Sequence, residues 1–199
     1  TRRSSDLDAA YVTSTERGTV LEKKGVKIQT CEHVLAALVG MNLDNVSIEL
    51  DAPEPPIMDG SAKYFVEAIE KVGIVEQQAE RNEYIVREVI SYKNEETGSE
   101  ITVIPADEYQ VTTMVDFGTK ILGTQNAYMN TLSEFKDDIA SARTFSFLHE
   151  LEVLLDRGLI KGGDLNNAII YVDKEPSAET MDKLKKVFNR DNVTVKPNG

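Results

Sequence analysis

The sequence predicts an α+β protein of two similar layered domains, each a β-sheet packed against a pair of helices, with the first domain truncated at its opening strands. Three observations support this prediction. The chain has 199 residues, enough for two small domains, and 41% of them are hydrophobic, enough for a packed core. Apolar residues recur with helical spacing in some segments and alternate in others. Both halves end in the order helix, strand, helix, which is typical of layered architectures.

In the first half, one strand separates two helices. A helix is predicted over residues 31–39, with Thr30 as its N-cap and Gly40 where it stops. Residues 45–50 then alternate between apolar and polar types, as a half-buried strand does.

The second helix of this half follows a proline-rich loop. Ser61 is its predicted cap, and Gly73 ends it. The polar segment 75–82 is the predicted linker, so the sequence indicates a first domain over residues 1–78 and a second over residues 79–199.

The second half begins with strands and ends with helices. Strand-like runs occur at residues 84–92, 101–104 and 109–117. The remaining predicted elements are a helix over 132–158 capped by Ser133, a Gly162-Gly163 turn, a strand at 168–172, a helix from Ser177 and a strand at 193–196.

The net charge of the chain limits the kinds of molecule that it is expected to bind. The chain carries 22 Lys and Arg against 34 Asp and Glu, a formal charge of −12. Nucleic acids and anionic membranes attract basic surfaces, so neither is the expected partner. No apolar run approaches the ~20 residues of a transmembrane helix. Cys31 is the only cysteine, which excludes an intrachain disulfide and fits a cytoplasmic protein.

The residues best suited to chemistry are Glu32 and His33, side by side at a predicted helix start. An imidazole can hold zinc, and a neighbouring carboxylate can take the proton of the water that zinc activates. Two simpler interpretations stay open on these residues alone. The helix dipole favours an acidic residue in the first turn, and His33 can be an ordinary surface residue.

Four segments together resemble a known family. Residues 30–73 read TCEHVLAALVGMNLDNVSIELDAPEPPIMDGSAKYFVEAIEKVG. The other three are SARTFSF at 141–147, RGLIKGGD at 157–164 and NAII at 167–170. In this order they resemble the zinc-dependent UDP-3-O-acyl-N-acetylglucosamine deacetylases of lipid A biosynthesis. Some members are fused to a 3-hydroxyacyl-[acyl-carrier-protein] dehydratase, and residues 173–199 are similar in style to those forms.

The resemblance implies amide hydrolysis of a UDP-linked acylated amino sugar. Zinc-bound water, activated by Glu32 as general base, attacks the acetamide carbonyl, and acetate leaves. His33 matches one zinc ligand, and the family's other ligands come from a downstream His-Lys-x-x-Asp-type motif that these residues do not contain. Thr144 matches the hydroxyl that supports the oxyanion, although a threonine here can also simply bond to local backbone. This segment alone is therefore expected to be inactive and to hold no stoichiometric Zn²⁺.

The resemblance also assigns substrate contacts. The matching residues are Phe117 and Phe147 for the sugar-nucleotide, Leu148, Leu151 and Leu154 for the acyl chain, and Gly163 for a tight turn near the substrate. Core packing explains the aromatic and leucine positions equally well, and a plain connecting turn explains Gly163. Glu150 stands where many members have Asp, and His149 is expected to be exposed.

A second function class remains open. The same chain could be a non-catalytic acidic α+β domain that binds a partner through its surface. Nucleotide-binding loops have no support, because neither G-x-x-x-x-G-K-[ST] nor G-x-G-x-x-G occurs.

Overall fold

The protein is an α+β structure of small sheets and short helices. The computed structural model describes residues 7–156 and 166–196, with side chains left out at 154–156. The described strands are β1 (Val12–Ser14), β2 (Val20–Lys23), β3 (Val26–Ile28), β4 (Ile90–Lys93), β5 (Glu100–Val103), β6 (Val111–Asp116), β7 (Thr124–Met129), β8 (Phe145–Phe147) and β9 (Ile169–Tyr171). The α-helices are α1 (Glu32–Gly40), α2 (Lys63–Val72), α3 (Leu148–Asp156) and α4 (Ala178–Val187).

The first sheet is antiparallel, in the order β1-β2-β3. Its tight β2–β3 connection is the pair Lys24-Gly25, with φ of 50° and 75°. Two consecutive positive φ angles give a turn whose twist matches that of the flanking strands, and glycine adopts such an angle at no steric cost. The sheet precedes α1 directly and so places the loop before β2 beside the start of that helix.

The main core joins the two halves of the chain. Ala37 of α1 and Val66 of α2 pack with Met129, Phe135 and Ala140. Burial of apolar side chains of this size stabilises a fold by about 1.5–3 kcal/mol each. The core therefore crosses the predicted boundary at residues 78 and 79, while the division into two domains stays a prediction.

The predicted linker carries no helix or strand, and it is attached to the loop after α1. Arg81 donates to the Asp44 carboxylate at 2.7 and 3.0 Å and to the Asn42 carbonyl at 3.4 Å. Asn45 donates to Gln77 at 2.6 Å. Residues 75–82 thus run along the first half rather than hanging free of it.

Two antiparallel hairpins, β4–β5 and β6–β7, follow this segment. Large apolar side chains on them are exposed, among them Tyr92, Ile101, Met114 and Tyr128. Strand β7 was not predicted, because its sequence TQNAYM lacks the apolar alternation of β6.

The last layer confirms the predicted helix, strand, helix order. Strand β8 pairs in parallel with β9, and α3 connects onward from the end of β8. Leu148 and Leu151 of α3 pack against Leu184 of α4 in a second buried cluster. Ser177 caps α4 by accepting the Thr180 amide at 3.1 Å, which confirms the predicted helix start.

Several local predictions are wrong. Thr30 does not cap α1, because it lies at φ 52° and Cys31 occupies the cap position without a side-chain bond. Within the described residues, the segments 45–50 and 193–196 have no neighbouring strand to bond with, so neither forms a strand. The predicted helix over 132–158 is broken. It begins as a 3-10 turn and a π-helix, Leu132–Glu134 and Phe135–Ile139, and pairing with β9 then makes 145–147 a strand.

Ser133 accordingly caps no long helix, and Thr131 precedes the 3-10 turn. Ser61 is displaced by one position from the cap of α2, which is Ala62. Its hydroxyl still accepts the Lys63 amide at 3.2 Å, so it satisfies a free N–H of the first turn.

Candidate functional site

Glu32 and His33 occupy the first turn of α1, as the sequence predicts. The His33 Nε2 lies 3.9 Å from Glu32 Oε1. The other oxygen of Glu32 accepts the Thr19 amide at 2.9 Å. The carboxylate is therefore held between the histidine and the loop before β2, with one oxygen engaged by backbone.

The same loop contacts the residue on the other side of Glu32. The Cys31 thiol donates to the Thr19 carbonyl at 3.5 Å and is buried. Burial raises the pKa of this thiol, and the negative charge of Glu32 raises it further. The thiol is thus kept protonated and acts as a packing group rather than a nucleophile.

His33 is a candidate zinc ligand, so the side chains around it decide whether a zinc site is complete. A catalytic zinc site takes three protein ligands and keeps a fourth position for water. Within residues 7–156 and 166–196, no group of three His, Cys, Asp or Glu side chains is placed to hold a metal ion. His33 fits the role of one ligand, but the described residues do not fit a complete zinc site.

Thr144 lies at the entrance to β8 and is bonded on both sides of its backbone. Its amide donates to the Gly60 carbonyl at 2.7 Å, and its carbonyl accepts the Ile169 amide at 3.0 Å. The neighbouring Arg143 donates through Nε to the Asp59 carbonyl at 2.6 Å and through Nη2 to the Asn166 carbonyl. A turn of the first half, residues 59–61, thereby holds the start of β8.

That turn is itself rigidly bonded. The Asp59 carboxylate accepts both the amide and the hydroxyl of Ser61, at 3.1 and 2.7 Å. Ser61 is fully buried. Because α2 starts directly after it and packs on α1, the turn connects Thr144 structurally to the helix that carries Glu32 and His33. A single site shared by Glu32 and Thr144 stays a prediction.

Phe117 and Phe147 are brought together, in an aromatic cluster that the sequence did not show. Their ring centroids lie 6.4 Å apart. Phe145 fills the space between them, 5.2 Å from Phe117 and 5.8 Å from Phe147, with edge-to-face geometry in both pairs. Tyr171 of β9 adds a fourth ring, 5.4 Å from Phe145. Phe147 is buried and Phe117 half-buried, so their assignment to a sugar-nucleotide stays a prediction.

His149 extends this cluster toward solvent. Its ring stacks on Phe147 at 5.6 Å with 14° between the planes, and its Nδ1 lies 3.1 Å from the Asp173 carboxylate. The hydrogen bond from His149 lowers the pKa of Asp173. The side chain is 52% exposed, as expected, but it is not an isolated surface residue. No sequence signal pairs residues 149 and 173, because 24 residues and a helix separate them.

Glu150 has a local role at the start of α3. Its carboxylate accepts the Phe147 amide at 3.3 Å and lies 3.2 Å from the Ser146 hydroxyl. An acidic residue that satisfies a free amide in the first turn stabilises a helix start. The longer side chain reaches back over the turn, so this carboxylate is engaged by its own backbone.

Two of the predicted acyl-chain contacts, Leu148 and Leu151, lie in a hydrophobic core cluster. Leu148 and Leu151 are buried against Leu184, with Ile170 and Met181 packed beside them. Their contact with an acyl chain stays a prediction. The side chain of Leu154, and Gly163 with its turn, lie outside the described residues.

The chain matches a known protein family over most of its length. The family model for LpxC, UDP-3-O-acyl N-acetylglycosamine deacetylase, matches residues 2–188. The bifunctional enzyme LpxC/FabZ of Bacteroides thetaiotaomicron is 46% identical, over 92% of this chain and 40% of that protein. The protein of the same name from Porphyromonas gingivalis is 44% identical, over 90% of this chain and 39% of that protein.

Relatives with a single function in their name are also similar. The UDP-3-O-acyl-N-acetylglucosamine deacetylase of Myxococcus xanthus is 38% identical, over 81% of this chain and 51% of that protein. The chain therefore spans about half the length, or less, of the curated relatives described here.

Proposed function

Since the chain belongs to the UDP-3-O-acyl N-acetylglycosamine deacetylase family, we propose that the complete protein removes acetate from a UDP-3-O-acyl-N-acetylglucosamine during lipid A biosynthesis. The family match over residues 2–188 is the observation that carries this proposal. It includes every described residue to which a role is assigned. The rival interpretation, a non-catalytic acidic domain that binds a partner through its surface, predicts no acetate release.

Glu32 is the proposed general base. One of its oxygens is occupied by the Thr19 amide, while the other faces the His33 ring. This anchoring fixes the carboxylate while leaving Oε1 able to accept a proton. A positioned base of this kind contributes about 10²–10⁴-fold to a rate.

Zinc is the proposed cofactor, with His33 as one of its ligands. The chemistry that the metal supplies is a water of lowered pKa and polarisation of the acetamide carbonyl. The described residues provide one ligand and the neighbouring base, so the proposal requires further ligands from the complete protein. The part played by this chain is to hold Glu32 and His33 together at the start of α1.

Thr144 and the aromatic cluster are the proposed substrate side of the site. The Thr144 hydroxyl would donate to the oxyanion that forms when the amide carbonyl is attacked. Phe117, which is half-buried, and Phe147, which is buried beneath the His149 ring, are the proposed aromatic contacts of the sugar-nucleotide. Within the described residues, no helix is both long and apolar enough to cross a membrane. We propose a cytoplasmic site of action.

The experiment is an acetate-release assay on the complete protein with UDP-3-O-acyl-N-acetylglucosamine. We expect acetate and the free amine in equal amounts. Activity should be lost after removal of metal by a chelator and return on addition of Zn²⁺. Absence of acetate release from folded, zinc-loaded protein would refute the deacetylase proposal and favour the partner-binding interpretation.

We also propose that the complete protein is of the bifunctional kind. The two relatives at 46% and 44% identity are both named LpxC/FabZ. A dehydration assay with a 3-hydroxyacyl-[acyl-carrier-protein] as substrate tests this second proposal. Deacetylation without dehydration by the complete protein would contradict it.

A further inference from the structure

We propose that Gly60 and Arg143 are positioning residues for Thr144. Gly60 leaves the space that the Thr144 methyl group occupies, and Arg143 fixes the backbone on both sides of it, so that the hydroxyl is directed in one rotamer. This inference deepens the proposed function, because the direction of that hydroxyl matters only if it meets an oxyanion. The two residues act from the two halves of the chain, and neither is assigned to contact substrate.

The backbone of Thr144 is fixed first. Its amide and carbonyl are bonded to Gly60 and Ile169, at 2.7 and 3.0 Å. With both peptide groups engaged, rotation about the Thr144 backbone is restricted to one conformation. The only freedom left to this short side chain is then χ1, which has three staggered positions.

The methyl group of Thr144 occupies space that a side chain at position 60 would need. A Cβ built on Gly60 would stand 2.9 Å from Thr144 Cγ2 and 2.1 Å from the Asn167 carbonyl oxygen. Only a residue without a side chain allows this close approach. Because Cγ2 and Oγ1 share one Cβ, a side chain at position 60 that displaced the methyl group would also change the direction of the hydroxyl.

Arg143 bridges the two backbone segments that lie beside Thr144, at Asp59 and at Asn166. Its guanidinium donates to the Asp59 carbonyl, next to Gly60, and to the Asn166 carbonyl in the turn before β9. A planar guanidinium can bond in two directions at once, whereas the ammonium of lysine is a single flexible point charge. Loss of this bridge is expected to let the Gly60 and Asn167 backbones separate and free the methyl group.

The first experiment measures the rotamer directly and needs no activity. Three-bond couplings from Thr144 Cγ2 to the backbone nitrogen and carbonyl carbon report χ1 in the complete protein. We expect values of one rotamer in the wild type, values of a different rotamer or averaged values in Gly60→Ala, and averaged values in Arg143→Lys. Gly98→Ala is the matched glycine control, since Gly98 has φ 71° with nothing within 4 Å of its built Cβ. Arg87→Lys, at an exposed arginine, is the control for replacing a guanidinium by an ammonium group.

The second experiment separates a positioning role from a general structural one. In the acetate-release assay, Gly60→Ala and Arg143→Lys should each lower kcat by about 10²-fold and leave KM nearly unchanged. Thr144→Val keeps the shape and removes the hydroxyl, so adding either substitution to it should cause no further loss. Arg143→Lys also keeps the test open if Gly60→Ala does not fold.

The outcomes are distinct. Averaged couplings in the wild type, or wild-type couplings in both variants, would overturn the inference. So would a kcat loss that persists in the Thr144→Val background. A wild type that shows one rotamer but releases no acetate would instead refute the proposed function and leave the rotamer result standing.

Discussion

The Thr144 amide donates a hydrogen bond of 2.7 Å to the Gly60 carbonyl, across the boundary that the sequence predicts between two domains. The bond joins the segment that ends at α2 to the segment that begins β8. Residues assigned to one reaction are therefore supported from both halves. Separate repacking of either half would change the geometry of the other.

Replacement of Glu32 by Gln tests the general base. Gln keeps the shape and still offers an oxygen to the Thr19 amide, but it cannot accept the proton from water. We expect kcat for acetate release by the complete protein to fall by about 10²–10⁴-fold with KM little changed. Glu22→Gln on an exposed position of β2 is the matched control. Wild-type turnover in Glu32→Gln would remove this residue from the mechanism.

Gly40→Ala tests the packing of α1 on Phe135. Alanine normally stabilises a helix interior relative to glycine by about 1 kcal/mol. Here the new Cβ would lie 2.0 Å from the Phe135 ring, so overpacking is expected to prevail at about 1–3 kcal/mol. Denaturant unfolding measures the loss. The same substitution in a Phe135→Ala background should be neutral or stabilising, and an equal loss there would contradict the steric explanation.

Leu151→Ala distinguishes a core leucine from an acyl-chain contact. Leu151 is 7% exposed and packs on Leu184, so truncation is expected to cost about 2–5 kcal/mol of unfolding free energy. KM for long-chain and short-chain acyl substrates should then change alike. Val153→Ala, on an exposed position of the same helix, is the control. A KM increase confined to long acyl chains, with little loss of stability, would instead place Leu151 in the substrate site.

Asp173→Asn tests the bond between Asp173 and His149. The hydrogen bond from His149 lowers the folded pKa of Asp173 below its ordinary value of 3.8. A carboxyl of lowered pKa stabilises the fold above the unfolded pKa, and this stabilisation disappears as the pH falls through the folded value. We expect the variant to melt below the wild type near neutral pH and the gap to close below pH 3.8. Asp107→Asn, on an exposed residue, should show no such trend.

Zinc content tests the donor count around His33. One imidazole leaves a metal ion close to its aqueous state, because an open site needs three protein ligands. We expect purified residues 1–199 to retain much less than one zinc per chain and to release no acetate. The complete protein should retain one. Tight stoichiometric zinc with turnover in residues 1–199 would show that the ligands are misassigned.

Short-range patterns in the sequence predicted a good part of the fold. The apolar positions of α2 recur at helical spacing, and Ser177 lies where a capping residue is needed, so α2 and α4 were found. Strand β8 lies where the sequence predicts a helix, because the helical spacing that runs through 135–142 continues into it. Its conformation depends on β9, a partner 24 residues further along the chain. Periodicity within one segment contains no information about such a partner.

One part of the candidate site could be predicted from the sequence and another part could not. Glu32 and His33 are neighbours in sequence and could be picked out together. The bonds that hold Thr144, and the stacking of His149 on Phe147 beside Asp173, depend on chain segments that approach only in the folded state. The conformation of Thr30 was missed because a positive φ at a non-glycine residue has no composition signal.

The long-range bonds around Thr144 can form only late in the synthesis of the protein. Arg143 and Asp59 are 84 residues apart, and the Thr144 carbonyl further requires the amide of Ile169. At about 5–20 residues per second, the ribosome releases the 59–61 turn roughly 5–20 s before residue 169. In the first part of that interval, until residues 129 and 135 are made, α1 and α2 lack Met129 and Phe135 to pack against. Within the part of the chain that the structure describes, the bonds around Thr144 are thus among the last that can form.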